Sequence, residues 1–350
     1  MLTTISQKRA KRQMQMTDIF IPSYHRPENI KTCRYFEKIG YDMSRLTVFI
    51  DDETDDIEEY RKACEAFGCN LHVFSMRESR ERYDYVHRPS KSRRSAGQAR
   101  NMFHDYAAEH GIDFYCVIDD DTSMYVIRKI GYPSYMRPAT LDDVLWMMRH
   151  TEDFMRRRHI GCFGWSQGGD YYGANIHYYR KKVMNTTFYL HPYIYRGERG
   201  YGDDDTSQFV GIMNNGLFTG SYATGCVLQQ AQSATQQGGL TDLYNETKLL
   251  SKGILCPIQY PSAIHCERQM MNGNRLHHRV NYRYLMPKVL KGDGTVDNIP
   301  WDTYPEDYPF TNEPKHRRPI STDAEQRERA EQGYLPPNGE KSPTSENRED

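Results

Sequence analysis

From Asp18 to Ile118 short apolar runs alternate with polar-faced segments of helical length, and that alternation restricts the chain to few folds. Asp18-Ile19-Phe20-Ile21-Pro22-Ser23-Tyr24 reads as a strand running into a loop, and a helix is predicted around Glu28 to Ile39. A second strand, Leu46-Thr47-Val48-Phe49-Ile50, ends at Asp51-Asp52. It leads into a helix over Ile57 to Phe67 that stops at Gly68, and then into a third strand, Leu71-His72-Val73-Phe74. Gln98 to His110 reads as a helix closed by Gly111, and Phe114-Tyr115-Cys116-Val117-Ile118 as the strand after it. Helical crossovers return a chain to the same edge of a sheet. The pattern therefore implies βαβ units: an α/β, Rossmann-like domain with a mixed, mostly parallel sheet, flanking helices, and ligands at the carboxyl ends of its strands.

Nearly all apolar runs fall within residues 17–300, so one main core is expected there, divisible at about 125. Its second half, 126–300, is rich in Tyr and Gly, with strands expected at 187–190 and 191–195, and is read as mixed sheet and long loops that hold an acceptor. Residues 1–16 form a basic extension with Lys8, Arg9, Lys11 and Arg12 but without the apolar run of a signal peptide. From Trp301 prolines punctuate a polar stretch, and 301–350 is expected to be a disordered tail with at most a short helix near Ala324 to Glu331. No stretch has the apolar length needed to span a bilayer. The eight cysteines show no CxxC pair and sit mostly beside apolar residues, as expected of free thiols in a reducing compartment. A cytoplasmic location is the expectation.

Lys and Arg number 46 against 47 Asp and Glu, which excludes a protein that coats nucleic acid indiscriminately. Charge is nonetheless uneven. Residues 77–100 contain Arg77, Arg80, Arg82, Arg88, Lys91, Arg93, Arg94 and Arg100 against three acids, and a second basic run spans Arg268 to Lys291. Each run fits either a solvated face or a phosphate-binding surface.

Three carboxylates, Asp119-Asp120-Asp121, follow the apolar strand that ends at Ile118. Alternate residues at a strand end point to opposite sides, so Asp119 and Asp121 can converge on one hard divalent cation while Asp120 faces elsewhere. An acidic turn capping a following helix is the other arrangement these residues fit. Asp203-Asp204-Asp205 likewise fits the start of a helix through Gln208-Phe209-Val210.

Four segments in order resemble glycosyltransferases of the GT-A type. Phe20-Ile21-Pro22-Ser23-Tyr24-His25-Arg26-Pro27 is similar to their first strand and donor loop. Asp51 stands where such enzymes place an acid on the nucleobase, Ser95-Ala96-Gly97-Gln98-Ala99-Arg100-Asn101 is similar to their GxARN turn, and Asp119-x-Asp121 fills the DxD motif. The resemblance implies that 17–125 binds a UDP-sugar through Pro22, Ser23, Tyr24, Arg26, Asp51, Arg100 and Asp119. It also implies a divalent metal, Mn2+ or Mg2+, on Asp119, Asp121 and the late histidine His265. Gly200-Tyr201-Gly202-Asp203-Asp204-Asp205 resembles the segment that supplies the general base, with Asp204 first and Asp203 second. His277 and His278 are weaker metal candidates than His265, which by itself is as readily structural.

In detail the chain looks like the TET-associated glycosyltransferases of bacteriophages. That resemblance implies transfer of glucose or arabinose to the hydroxyl of 5-hydroxymethylcytosine or 5-hydroxymethyluracil in double-stranded DNA. Arg88, Lys91, Arg93, Arg94 and Arg279 would then contact phosphates, and tyrosines between 171 and 201 would stack on an extruded base. A glycan or protein acceptor is the alternative. A sugar-nucleotide nucleotidyltransferase is another, although the loop 22–27 lacks the glycines such enzymes use. No helix-turn-helix or zinc spacing supports a purely DNA-binding module.

Overall fold

The computed structural model describes residues 16–83, 96–129, 132–167, 177–179, 186–191, 204–215, 217, 219–229, 250–269 and 275–285. Arg88, Lys91, Arg93, Arg94, Asp203, the N-terminal extension up to 15, and the tail all lie outside them, as do most of the tyrosines between 171 and 201.

The strands are β1 (Asp18–Pro22), β2 (Leu46–Asp51), β3 (Asn70–Phe74), β4 (Phe114–Ile118), β5 (Thr122–Lys129), β6 (Tyr132–Pro138), β7 (Cys162–Gln167), β8 (His177–Tyr179), β9 (Thr186–Leu190) and β10 (Thr219–Gln229). They form one sheet in the order β3-β2-β1-β4-β9-β7-β10-β5-β6, with β8 also paired to β10. The β3-β2-β1-β4 block is parallel throughout and β7 runs parallel to β10, whereas β9, β5 and β8 run against their neighbours. Among the described residues seven of the ten strands therefore point the same way. This is the Rossmann-like α/β architecture implied by the alternation of apolar runs and helices.

Continuous apolar strands belong where both faces are covered. β4 is buried at every position and β1 at Ile19, Phe20 and Ile21. The helices are α1 (Lys31–Ile39), α2 (Ile57–Phe67), α3 (Met76–Arg82), α4 (Ala96–Glu109), α5 (Leu141–Arg158), α6 (Asp204–Asn214), α7 (Leu250–Gln259) and the single turn α8 (Tyr282–Leu285). α4 lies on β1 and β2 and sends Phe103 to within 4.6 Å of the Phe49 ring, which itself sits 5.1 Å from Phe20. α2 ends as the sequence predicts. Gly68, at φ 69°, takes the left-handed turn, and the Cys69 N–H returns to the Cys64 carbonyl at 3.0 Å.

The sequence expectation missed α3, which falls inside the first basic run. Its cap is supplied partly from a distance: Ser75 accepts from the Glu78 N–H, and the Asp52 carboxylate accepts from the Met76 N–H at 2.8 Å. The arginines of this helix face protein acids rather than standing open. Arg80 makes two bonds to Glu53 at 2.7 and 3.0 Å, and Arg82 reaches Asp105 at 2.6 Å. For residues 77–82 the basic run is a surface balanced by its own carboxylates.

A second, two-stranded ribbon pairs β11 (Ile264–Gln269) with β12 (Arg275–Val280), and α7 packs against both strands. Among the described residues seven cysteines are free, five of them buried. Among the described residues no helix is long and apolar enough to cross a membrane.

Candidate functional site

Because β1, β2 and β4 are parallel, their carboxyl ends, at Pro22, Asp51 and Ile118, open on one edge of the sheet. The acidic turn Asp119-Asp120-Asp121 is held there by α1. The Thr32 hydroxyl donates to the Asp119 carbonyl at 2.5 Å and accepts from the Thr122 N–H at 3.2 Å, while the Thr32 N–H reaches the Asp120 carbonyl at 3.2 Å. No motif announced Thr32. Its importance comes from where α1 begins.

The side chains of the turn then diverge. Asp120 is 3% exposed and faces the loop after β1, taking a 2.6 Å hydrogen bond from Ser23 and a 3.0 Å ion pair from Arg26. Ser23 and the Arg26 N–H both meet the Tyr60 hydroxyl, at 2.8 and 3.0 Å. Ser23 and Arg26 were expected to contact the donor directly, and the structure joins them to the middle aspartate. Tyr60 was missed because nothing in the local pattern of α2 marks it as a site residue.

Asp119 turns the other way, toward Arg100 of α4. Arg100 Nη2 donates to Asp119 Oδ1 at 3.0 Å, and its Nε donates to Asp204 Oδ2, at the first residue of α6, at 2.5 Å. Arg100, Asp119 and Asp204, all named from the sequence, are thus brought together by one guanidinium. Asp204 and Asp205 form the first turn of α6, so the helix-start arrangement is realised at the same residues.

Charge around Arg100 is out of balance. Burial pushes the Asp119 carboxyl up to about 7; Arg100 pulls it down, while Asp121, Asp204 and Asp120 raise it further. Asp120 is pushed up to about 6 by burial, with Arg26 and Ser23 opposing and Asp121 adding to the rise. Asp119 and Asp204 share one arginine, and Asp121 is near enough to raise the Asp119 carboxyl; these hard oxygens carry surplus negative charge, the chemistry a divalent cation takes, but their ligand atoms do not all lie within 4.8 Å of one another.

The remaining expected residues are placed as follows. Asp51 is buried at the end of β2, where it accepts from the Glu53 N–H at 3.0 Å, and the Tyr24 ring lies 4.0 Å from that of His25. His265 sits on β11, 56% exposed and 3.8 Å from Glu267. Its neighbour across the ribbon, His278, reaches the other way and meets the Thr206 hydroxyl at 3.0 Å. Among the described residues, the His, Cys and acid side chains whose ligand atoms all lie within 4.8 Å of each other are His25, Asp55 and Asp56, so His265 does not join Asp119 and Asp121 in such a group. Arg279, on the same ribbon, is bound to Glu267 by two contacts of 3.1 Å.

A family model for the TET-Associated Glycosyltransferase matches residues 17–239. Among solved structures, glucosyl-3-phosphoglycerate synthase from Mycobacterium tuberculosis in complex with uridine diphosphate is similar, at 11% identity over 79% of this chain and 91% of that one, with a TM-score of 0.39. No curated protein matches the chain.

Proposed function

Since the chain belongs to the TET-associated glycosyltransferase family, we propose that it transfers a sugar from a UDP-sugar to the hydroxyl of a 5-hydroxymethylpyrimidine in DNA. The family's association with TET supports this acceptor. The observation that carries the reading is the Arg100 fork, which couples the DxD aspartate to an acid 85 positions further on.

On this reading the fold is GT-A, and Asp51, Tyr24 and Pro22 border the nucleotide. Asp119 and Asp121 would hold a divalent cation, Mn2+ or Mg2+, which would supply positive charge to offset that of the departing diphosphate. Ser23, Arg26 and Tyr60 fix Asp120 and with it the backbone of the acidic turn. Asp204 is the base. It takes the proton of the hydroxymethyl group as that oxygen attacks the anomeric carbon and the bond from that carbon to the diphosphate oxygen breaks. Arg100 sets Asp204 at a fixed place relative to Asp119, so the acceptor and the leaving group are aligned by one side chain. Asp203 is the second choice of base. His265, 56% exposed on the ribbon, is left out of this proposed metal set.

Arg88, Lys91, Arg93 and Arg94 remain proposed phosphate contacts. The test is incubation of hydroxymethylated and unmodified DNA with UDP-glucose, UDP-arabinose and Mn2+, followed by nucleoside mass spectrometry. A hexose or pentose mass gain confined to the hydroxymethylated DNA is expected. Transfer to a glycan or peptide with none to DNA would replace the acceptor.

A further inference from the structure

Large apolar side chains that face solvent are concentrated in one corner of the described structure. Ile258, Leu276, Tyr282 and Tyr284 are 60%, 40%, 50% and 65% exposed, and all lie on α7, β12 or α8. The stretch 258–285 also carries four arginines against a single glutamate, Glu267.

Strand alternation separates the two faces of the β11-β12 ribbon. Cys266 and Leu276 lie against α7, where a Cβ on Gly253 would come within 2.9 Å of the Leu276 Cβ and 3.2 Å of the Cys266 sulfur. On the same face His278 meets Thr206. The opposite face presents His265 and Arg279, the latter 66% exposed. α8 follows β12 after the single residue Asn281. Its Leu285 is buried against Phe209, Val210 and Met213 of α6, while Tyr282, Arg283 and Tyr284 stay exposed. The Tyr282 ring is 5.9 Å from Phe209, little more than a turn along the helix that begins at Asp204.

We propose that the outer ribbon face and α8 form the surface that grips acceptor DNA, with phosphates on Arg283 and on Arg279, which exchanges its Glu267 partner for a phosphate oxygen, and with unstacked bases on Tyr282 and Tyr284. The inference rests on the DNA acceptor proposed above and says where that acceptor is held. Two features choose DNA over a protein partner. Exposed Arg283 stands between the two exposed tyrosines in the chain, which suits a strand carrying one phosphate per base, and tyrosine offers a π-face that any base can stack on. α8 packs on the helix whose first residue is the proposed base, so a strand held by Tyr282 lies about one helical turn from that end of α6.

Fluorescence anisotropy with a labelled oligonucleotide containing hydroxymethylcytosine tests the proposal. Tyr284→Ala is expected to weaken binding about tenfold and Tyr284→Trp to hold it within about twofold, since the larger ring still stacks. Arg283→Ala is expected to reduce the salt slope of binding by about one. Unchanged affinity and slope in these folded variants would overturn the proposal, as would a loss seen only with a glycan or peptide acceptor. Nucleoside mass spectrometry of the same oligonucleotide after incubation of the unaltered protein with UDP-glucose or UDP-arabinose separates the two ideas. No mass gain on that DNA with either donor, together with normal, Tyr284-dependent DNA binding, would sink the transferase reading and leave the surface standing.

Discussion

Arg100 and Asp119 are joined by a 3.0 Å hydrogen bond from Nη2, and the same guanidinium holds Asp204 through Nε at 2.5 Å. One cation therefore serves two carboxylates in a largely enclosed place, with Arg100 10% and Asp204 13% exposed. Removing it leaves acids that have lost their water and their partner. Arg100→Ala is expected to cost about 3 kcal/mol of stability. Arg100→Lys should recover part of it, because an ammonium keeps the charge but cannot fork. Urea denaturation with and without Mn2+ checks this. The added metal should stabilise the alanine variant more than the parent, and equal stabilisation would detach Arg100 from the metal account.

Asp121→Ala is expected to lower transfer at least about 100-fold, the scale on which charge stabilisation of a leaving group operates. Affinity for DNA should stay within about threefold, because no phosphate contact is assigned to the acidic turn. Chelation should mimic the variant in the parent protein, and readdition of Mn2+ should restore only the parent. Full turnover of Asp121→Ala after chelation would remove this residue from the chemistry.

α5 begins with a reciprocal cap. The Thr140 hydroxyl accepts from the Asp143 N–H, and the Asp143 carboxylate accepts from the Thr140 N–H at 2.8 Å and from Arg137. Burial alone would raise the Asp143 carboxyl, but the Arg137 and Thr140 bonds more than reverse this and hold it below its usual range. A group depressed in the folded state adds stability above its unfolded pKa, and that stability is lost as pH falls through the folded value. Asp143→Asn should therefore cost about 1 kcal/mol at pH 7. The gap between variant and parent should start to close below about pH 4. Thermal unfolding across pH 3–7 would show it. A gap that is constant with pH would mean that the carboxylate charge contributes nothing.

Gly253 lies where α7 meets the ribbon, with the Leu276 Cβ 2.9 Å and the Leu276 carbonyl carbon 3.2 Å from the place an added methyl would take. In an open helix Ala would be favoured over Gly by about 1 kcal/mol. Here the contact is with backbone and Cβ, which cannot swing aside, so Gly253→Ala should destabilise by about 1–3 kcal/mol. Chemical denaturation decides the sign, and a stabilised variant would show that the ribbon gives way freely.

The parallel half of the sheet was legible because its strands are buried on both faces and so lack polar residues, as β4 and β1 illustrate. α2 was legible because Gly68 punctuates its end. α3 was not, since part of its cap comes from Asp52 and its arginines are balanced by Glu53 and Asp105, acids far off in sequence. In the site, sequence spacing separated Asp120 from Asp119, yet it could not say that Ser23 and Arg26 would answer Asp120 rather than stand open to the donor. Nor could it pair Arg100 with Asp204, 104 positions away. Between two histidines opposite each other's neighbours on a ribbon, only pleat and packing decide which one faces α6. That one is His278.

The account depends on a cation at Asp119 and Asp121 beside the donor diphosphate, and a crystal grown with UDP and Mn2+ addresses it directly through the anomalous signal of manganese. The predicted peak lies between those two carboxylates and the diphosphate oxygens. A peak at the His25, Asp55 and Asp56 group instead, with Asp119 and Asp121 bare, would contradict it.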